Sequence, residues 1–432
     1  MSWLSGWSKR IRLTIDKDDI DGVLSDFPVL VYISAASGIG DVDASCVFDE
    51  LKVNANRKKI AITTDGIECY VEIEKWDDVN EKAWLWVKVP SIASETDTEL
   101  YLYYDRGRAD NTTYVGDTNS TPAESVWDAN FKAVYHMADG VDNAHIYDST
   151  GNDNDGTKKG ANEPNEVDGQ IGKAQEFDIT DDYIVRANPP DFNFGTGDFT
   201  LEVLVKADAG ITRRFLIDKY IGIGYSLEFQ SSGTLRFFIR DATHTTNNTA
   251  TSALRKDDSN YHLATALRKV NDIELYVDGV FEDSNTPGAV NVTAVVDFHL
   301  GSTRIPDNFL DGIEDEVRIS NVARSAEWIK ATSESIFDDL LAFGSEELTP
   351  LSARKYIVEL RNSDGDLVSI LHNAYDISLS EAINEAPLLD FSIPADDIKA
   401  ADLTRANEVW LRNYKTGAIV KKFRLNLRRD TR

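Results

Sequence analysis

One pattern runs through most of the chain. Side chains alternate between apolar and polar in short runs, and each run closes on turn residues. The stretch from Tyr261 to Asp283, YHLATALRKVNDIELYVDGVFED, shows it most fully. Leu263, Thr265 and Leu267 alternate with His262, Ala264, Ala266 and Arg268. After a polar break at 269–272, Ile273, Leu275 and Val277 alternate with Glu274, Tyr276 and Asp278. Asp278-Gly279 then supplies a residue free to take positive φ, so the chain can turn sharply after Val277. A period of two with no long helical period between the runs predicts antiparallel sheets and leaves no crossover helices for a parallel one.

Charge narrows the partners. The 432 residues carry 45 basic and 74 acidic side chains, a net charge of −29, so nucleic acid and anionic membranes should repel the chain. No apolar run reaches the length of a membrane-spanning helix, so no membrane insertion is expected. The N-terminus MSWLSGWSKRIRLTID passes straight into a strand pattern and lacks the apolar core and cleavage site of a signal peptide. That predicts a protein not exported by the usual route. Of two cysteines, Cys69 keeps step with Ile67, Val71 and Ile73 and is expected to be a buried small apolar residue.

Residues 1–120 are expected to form a first β-sandwich. Ile11, Leu13 and Ile15 mark a strand, and PVLVYI at 28–33 is nearly all apolar, as for a strand buried on both faces. Runs at 59–63 and 67–73 flank a Thr64-Asp65-Gly66 turn, 84–89 is stopped by Pro90, and 100–104 follows. Trp84 and Trp86 share a strand face, which suits a core or a sugar-stacking platform. Glu72 and Glu74 also share a face, about 7 Å apart on a strand. That is within the range of glycosidase pairs, but any solvent-facing strand shows the same alternation. "DFPVLVYI", "RKKIAIT", "EIEKWD", "AWLWVKVP" and "LYLYYD" resemble an uncharacterised β-sandwich domain that often precedes a concanavalin-like domain in extracellular and phage proteins.

Thr121-Pro122-Ala123-Glu124 reads as a capped helix start running to about Trp127. From 121 to 348 many short strands follow without crossover helices, which predicts a two-sheet jelly roll. "VYHMADG", "DSTGNDNDGT", "GKAQEFDITDDYIV", "DFTLEVLVKAD", the hairpin above and "LDGIEDEVRISNVARSAEWIKA" resemble the laminin-G and concanavalin A-like lectin domains. Leu204 stands where many members carry Trp. Ser325 is expected to cap a helix whose Trp328, Ala331 and Thr332 share one face.

Three features of this segment bear on chemistry. The loop DSTGNDNDG at 148–156 offers oxygen ligands at short spacing. By analogy with related jelly rolls, Asp148, Asn152, Asn154 and Asp315 are the candidate Ca²⁺ ligands; the alternative is a loop that bonds its own backbone. Glu314-Asp315-Glu316 lacks the E-x-D-x-x-E spacing of glycosidases on this fold. Simple alternation puts Glu314 and Glu316 on one face and Asp315 on the other, so no catalytic residue is assigned. The polar loop ATHTTNNTATS at 242–252 is a candidate sugar-binding loop or a plain connection, and no zinc spacing surrounds His244 or His262.

Residues 349–432 are expected to form a small β-domain. Strands at 355–361 and 367–371 flank NSDGD, with further runs at 376–380, 389–393, 409–412 and 418–428 and a short helix near 396–404. This end is basic on an acidic chain. "YIVELRNSDGDLVSIL", "ISLSEAINEAPLLDFSIPADD" and "LTRANEVWLRN" resemble the opening domain of phage tail-tip and baseplate hub proteins, in which a much longer chain follows. The expected class is thus all-β: tandem antiparallel β-sandwiches, the central one a concanavalin A-like jelly roll, with a small C-terminal β-domain. The resemblances imply a structural protein of a phage tail tip. It would be assembled in the host cytoplasm, oligomeric in a symmetric tail, attached to other tail proteins through 349–432, and would present a lectin-like domain to host-surface glycan. A secreted or cell-surface carbohydrate-binding protein is the alternative, and a glycoside hydrolase is disfavoured by the missing carboxylate spacing.

Overall fold

The structure is a computed structural model. It describes residues 3–160, 163–210, 212–243, 248–305 and 307–349, and then 356–362, 364, 366–371, 375–380, 388–392, 408–413 and 419–424. Strands dominate, and the sheets are built largely from antiparallel pairs, while Val71–Asp77 and Val115–Asp117 run parallel.

The first sandwich pairs two sheets. One carries Lys9–Ile15, Thr98–Tyr104, Ile60–Thr64 and the short arm Ile67–Glu68. Ala342–Leu348 closes its other edge beside Lys9–Ile15, so the chain returns here after the whole jelly roll. The second sheet is ordered Leu24–Ile33, Lys82–Ile92, Val71–Asp77, Val115–Asp117. The expected strand at 67–73 is two pieces. Ile67–Glu68 bonds to Ile60–Thr64, and the chain then crosses at Cys69-Tyr70 to the opposite sheet. Cys69, Val71 and Ile73 still share one core because both pieces face the same interior. Burial pushes the Cys69 thiol up to about 12, as expected of an inert buried residue. Pro90 does not stop its strand, which runs on to Ile92. Pairing to Val71–Asp77 ends at Val87, so Pro90 lies where no further N–H is needed on that side.

The all-apolar run at 28–33 has a structural reason. Val29, Val31 and Ile33 are buried in the first sandwich. On the opposite side Leu30 and Tyr32 meet residues at the end of helix Ala326–Ile336, whose Ser335 hydroxyl accepts from Leu30 N (2.8 Å). Ser325 caps that helix by accepting from Trp328 N, and Trp328, Ala331 and Thr332 are buried, as the sequence predicts. The helix near 121 is shorter than expected. Ser120 holds the cap position but its hydroxyl donates to Asp117 O and not to the helix, Thr121 is already helical, and the helix ends at Glu124.

The jelly roll has two eight-stranded sheets. The inner sheet runs Asn165–Asp168, Lys173–Asp178, Asp311–Ser320, Phe199–Ala207, Tyr261–Lys269, Asp272–Val277, Val280–Asn285, with Phe131–Tyr135 also on Asp311–Ser320. The outer sheet runs His145–Ile146, Gly156–Lys159, Tyr183–Arg186, Phe298–Leu300, Arg214–Tyr220, Gly224–Phe229, Thr234–Arg240, Asn248–Arg255. Asp278 (φ 54°) and Gly279 (φ 78°) make the expected tight turn after Val277. Leu201, Val203 and Val205 enter the jelly-roll core, whereas Leu204 and Leu263 join the core of the first sandwich. The inner sheet is therefore apolar on both faces, one packed on each sandwich. Leu204, at the position where Trp is common, fills that contact.

Residues Met1–Glu347 form one compact unit and Leu348–Arg432 a second. In the second unit Tyr356–Arg361 pairs with Leu367–Leu371 and with Glu408–Asn413, which pairs with Ile419–Arg424; Tyr375–Ser380 and Leu388–Ser392 make a separate hairpin. The expected helix near 396–404 lies outside the described residues. No helix among those described is long and apolar enough to cross a membrane.

Candidate functional site

Two places gather polar and aromatic side chains: an open groove on the outer sheet of the jelly roll, and a buried cluster where the inner sheet meets the first sandwich.

The groove, about 420 Å³, lies over Arg214–Tyr220 and Thr234–Arg240 and is bordered by Thr303, Arg304, Ile305, Asp307 and Asn308. Strand alternation supplies its floor: Ile217, Leu227, Phe237 and Ile239 turn into the core, while Asp218, Ser226 and Phe238 sit across from one another on the other face. Tyr220 meets Phe238 edge-on at 5.3 Å, and the Arg213 guanidinium lies 4.6 Å over the Phe215 ring. Glu228, fully buried, takes Arg213 on one oxygen (2.6 Å) and Arg236 on the other. Burial pushes Asp218 up to about 6, although Ser226 and Arg304 N both donate to it. Ile221 and Ile305 are exposed at the rim. Of the expected loop 242–252, residues 248–252 are edge strand in this same sheet and His244 lies outside the described residues.

The buried cluster depends on two β-bulges. In Val71–Asp77, Ile73 faces Leu85 and Lys75 faces Trp84, so Glu74 is the extra residue. In Asp311–Ser320, Asp315 faces Leu204 and Val317 faces Val203, so Glu316 (φ 33°) is the extra residue. A bulge breaks the period of two and re-aims side chains. This corrects the alternation expected for Glu314-Asp315-Glu316. Glu314 lies apart from the other two, fully buried, and burial raises its pKa well above the carboxylate range although the Gly301 backbone favours its charged form. Asp315 and Glu316 both face the first sandwich.

His136, just past strand Phe131–Tyr135, is the hub. Its Nδ1 lies 2.6 Å from Glu316 Oε1 and 3.4 Å from Glu74 Oε2, and its Nε2 lies 3.4 Å from Glu72 Oε2. Trp86 Nε1–H donates to Glu74 (2.8 Å), and Trp127 Nε1–H donates to Glu72 (2.7 Å). Arg318 donates to Glu316 Oε2 (2.7 Å) and stacks 4.3 Å over Trp86. Burial opposes charge on His136, but Glu316, Glu74 and Glu72 outweigh it and hold its pKa well above the ordinary value. Burial likewise lifts Glu74 to about 8, whereas His136 and Arg318 overcome burial to keep Glu316 below its usual range. A cavity of about 300 Å³, lined by Glu74, His136, Met137 and Tyr147 among others, reaches from the cluster to exposed Val141.

The four expected calcium ligands do not form one donor set. Asp148 accepts from Val134 N, Thr150 N, Thr150 Oγ1 and Asn154 N, all within 3.0 Å, so its own loop satisfies both oxygens. The amides of Asn152 and Asn154 donate to the carbonyls of Phe131 and Lys132. Asp315 accepts instead from Ile171 N and Glu316 N and shares no partner with that loop. Among the described residues, acids converge at Asp178, Asp181 and Asp182 and at Glu74, His136 and Glu316. The sequence signal for the first was the D-x-x-D-D spacing. For the second there was none, because each of two alternating patterns breaks at the residue that matters.

Residues 178–330 match the concanavalin A-like lectin/glucanases superfamily, and residues 60–146 match a domain of unknown function (DUF2341). The jelly roll is therefore a concanavalin A-like lectin domain in fold. No curated protein matches the chain. Among solved structures, the binding domain of Paraclostridial Mosquitocidal Protein 1 is 14% identical over 65% of this chain and 77% of that one, with a TM-score of 0.41. Domain 4 of an extracellular arabinanase from Geobacillus stearothermophilus, in complex with arabinotriose, is 18% identical over 48% of this chain and 100% of that one, at 0.38. The botulinum neurotoxin serotype D binding domain is 11% identical over 67% and 73%, at 0.40. Glu74 and His136 fall within the first matched segment of the chain, and Glu316 and Arg318 within the second.

Proposed function

We propose that the chain is a non-catalytic recognition protein whose jelly roll binds a glycan in the groove across its outer sheet. The observation that supports this is the mixed chemistry of that groove. Sugars present apolar C–H faces and rings of hydroxyls. Tyr220, Ile221 and Ile305 offer apolar surface, and Arg213, Arg304, Asp307 and Asn308 offer donors and acceptors around it. A glycan array on the full chain, followed by calorimetry on any binder, tests the proposal. Tyr220→Ala and Arg304→Ala should each weaken binding at least tenfold at an unchanged melting temperature. An array without a binder, or affinity indifferent to both changes, would overturn it.

The finer assignment is to a phage tail tip, with residues 349–432 attached to other tail proteins and the chain repeated around the tail axis. Its support is the sequence likeness of 356–424 to tail-hub opening domains, joined to a lectin-like module. Mass spectrometry of purified particles is the test, and absence of the chain from them would end this assignment in favour of a secreted or cell-surface glycan-binding protein.

A further inference from the structure

We propose that Glu74, His136 and Glu316 form a binding site for a first-row divalent transition-metal ion, with Zn²⁺ as the best match. The site is independent of the groove and of any glycan. Three observations carry it.

The first is convergence. One atom from each residue, including the Nδ1 face of the imidazole, lies within 4.8 Å of the other two. Tetrahedral Zn²⁺ with nitrogen and oxygen ligands at 2.0–2.2 Å requires donors roughly 3.4 Å apart. His136 Nδ1 and Glu74 Oε2 already stand 3.4 Å apart, and the 2.6 Å gap to Glu316 Oε1 needs to open by less than about 1 Å. The ion takes the place of the proton now shared between Nδ1 and Glu316, and that proton leaves on binding.

The second is that each ligand is already held from behind. Metal-binding imidazoles commonly donate their other N–H to a carboxylate, and ligating carboxylates are themselves hydrogen-bonded. Here Glu72 Oε2 faces His136 Nε2, Trp86 Nε1–H holds Glu74, and Arg318 holds Glu316. Two bulges on different sandwiches aim Glu74 and Glu316 at one imidazole.

The third is unmet polarity. Glu74 Oε1, on a ligand carboxylate, is buried without a hydrogen-bond partner, and that side chain is 2% exposed. Buried polar groups are normally satisfied, so an orphaned oxygen on a ligand carboxylate calls for a group that completes it. The 300 Å³ cavity bordering Glu74 and His136 gives an ion a path and leaves room for water at a fourth position.

The test uses the full-length protein, stripped with chelator and titrated by calorimetry with Zn²⁺ and, for spectroscopy, Co²⁺ and Cu²⁺. The expected result is one equivalent bound, a Co²⁺ visible spectrum of four- or five-coordinate intensity, and Cu²⁺ resonance split by one imidazole nitrogen. Glu74→Gln and Glu316→Gln should each weaken Zn²⁺ at least tenfold. Glu72→Gln, which keeps all three ligands, should weaken it about 10- to 100-fold, and Asp148→Asn should leave it unchanged. Folded protein that takes up no stoichiometric ion overturns the proposal, as does uptake that the Glu74 and Glu316 changes do not alter. If those variants fail to fold, absence of nitrogen coupling in the wild-type Cu²⁺ spectrum overturns it equally.

Discussion

The groove on the outer sheet and the cluster behind the inner sheet are built from the same residue types: aromatic rings, arginines and carboxylates. In the groove Glu228 lies between two arginines, one of them nearly half exposed, and the rings stand at an open surface. In the cluster Glu72 and Glu316 are fully buried, and indoles close over the charges. Water makes the difference. The exposed groove charges, Arg213 and Asp307, keep solvent that a ligand can displace, so their interactions are available for exchange. Cluster charges have given up solvent and must satisfy one another, so each is worth much to stability and any shortfall shows as an orphaned atom.

The comparison can be broken most sharply at Arg318. Arg318→Met leaves buried Glu316 without its guanidinium and should cost about 3–5 kcal/mol in urea unfolding, with glycan affinity unaffected. A loss under about 1 kcal/mol would mean the cluster behaves like surface charge. Trp127→Phe keeps the ring but removes the N–H that donates to buried Glu72, at an expected cost of about 1–3 kcal/mol in the same assay. On the groove side, Tyr220→Ala should act in the opposite sense. It should lose about 1.4 kcal/mol of binding, a tenfold change, while stability moves by less than about 0.5 kcal/mol.

The smallest effect is a pH slope at the central hairpin. The Asp278 carboxylate, 2.7 Å from Nδ1, raises the pKa of His262 against partial burial, with Asp258 assisting. A raised folded-state pKa means the ion pairs stabilise fully below the ordinary histidine value and are lost as pH rises through the folded one. Stability followed from pH 6 to 9 should fall on the alkaline side in wild type, and His262→Gln should flatten that part of the curve. The groove variant Tyr220→Ala should keep the wild-type slope.

Alternation was enough to find the hairpin turn at Asp278-Gly279, the burial of Cys69, the cap at Ser325 and the both-faces burial of 28–33. These follow from local chemistry: the period of two, the conformational freedom of glycine, and the capping power of a hydroxyl. The groove was half legible. The strands that floor it were expected, but the polar chemistry of their outward face drew no notice, attention having gone to the loop at 242–252. The cluster was not legible at all. Glu72 and Glu74 looked like a solvent face, Glu314 and Glu316 looked like neighbours, and His136 drew no notice. The sequence by itself determined that this chain builds antiparallel layers and which side chains most of its strands turn inward. Tertiary structure alone decided where that alternation slips by one residue, and which acids, one of them 180 residues from His136 in the chain, meet at its imidazole. A bulge is set by how two packed sheets must twist to fit each other, and no local pattern encodes that fit.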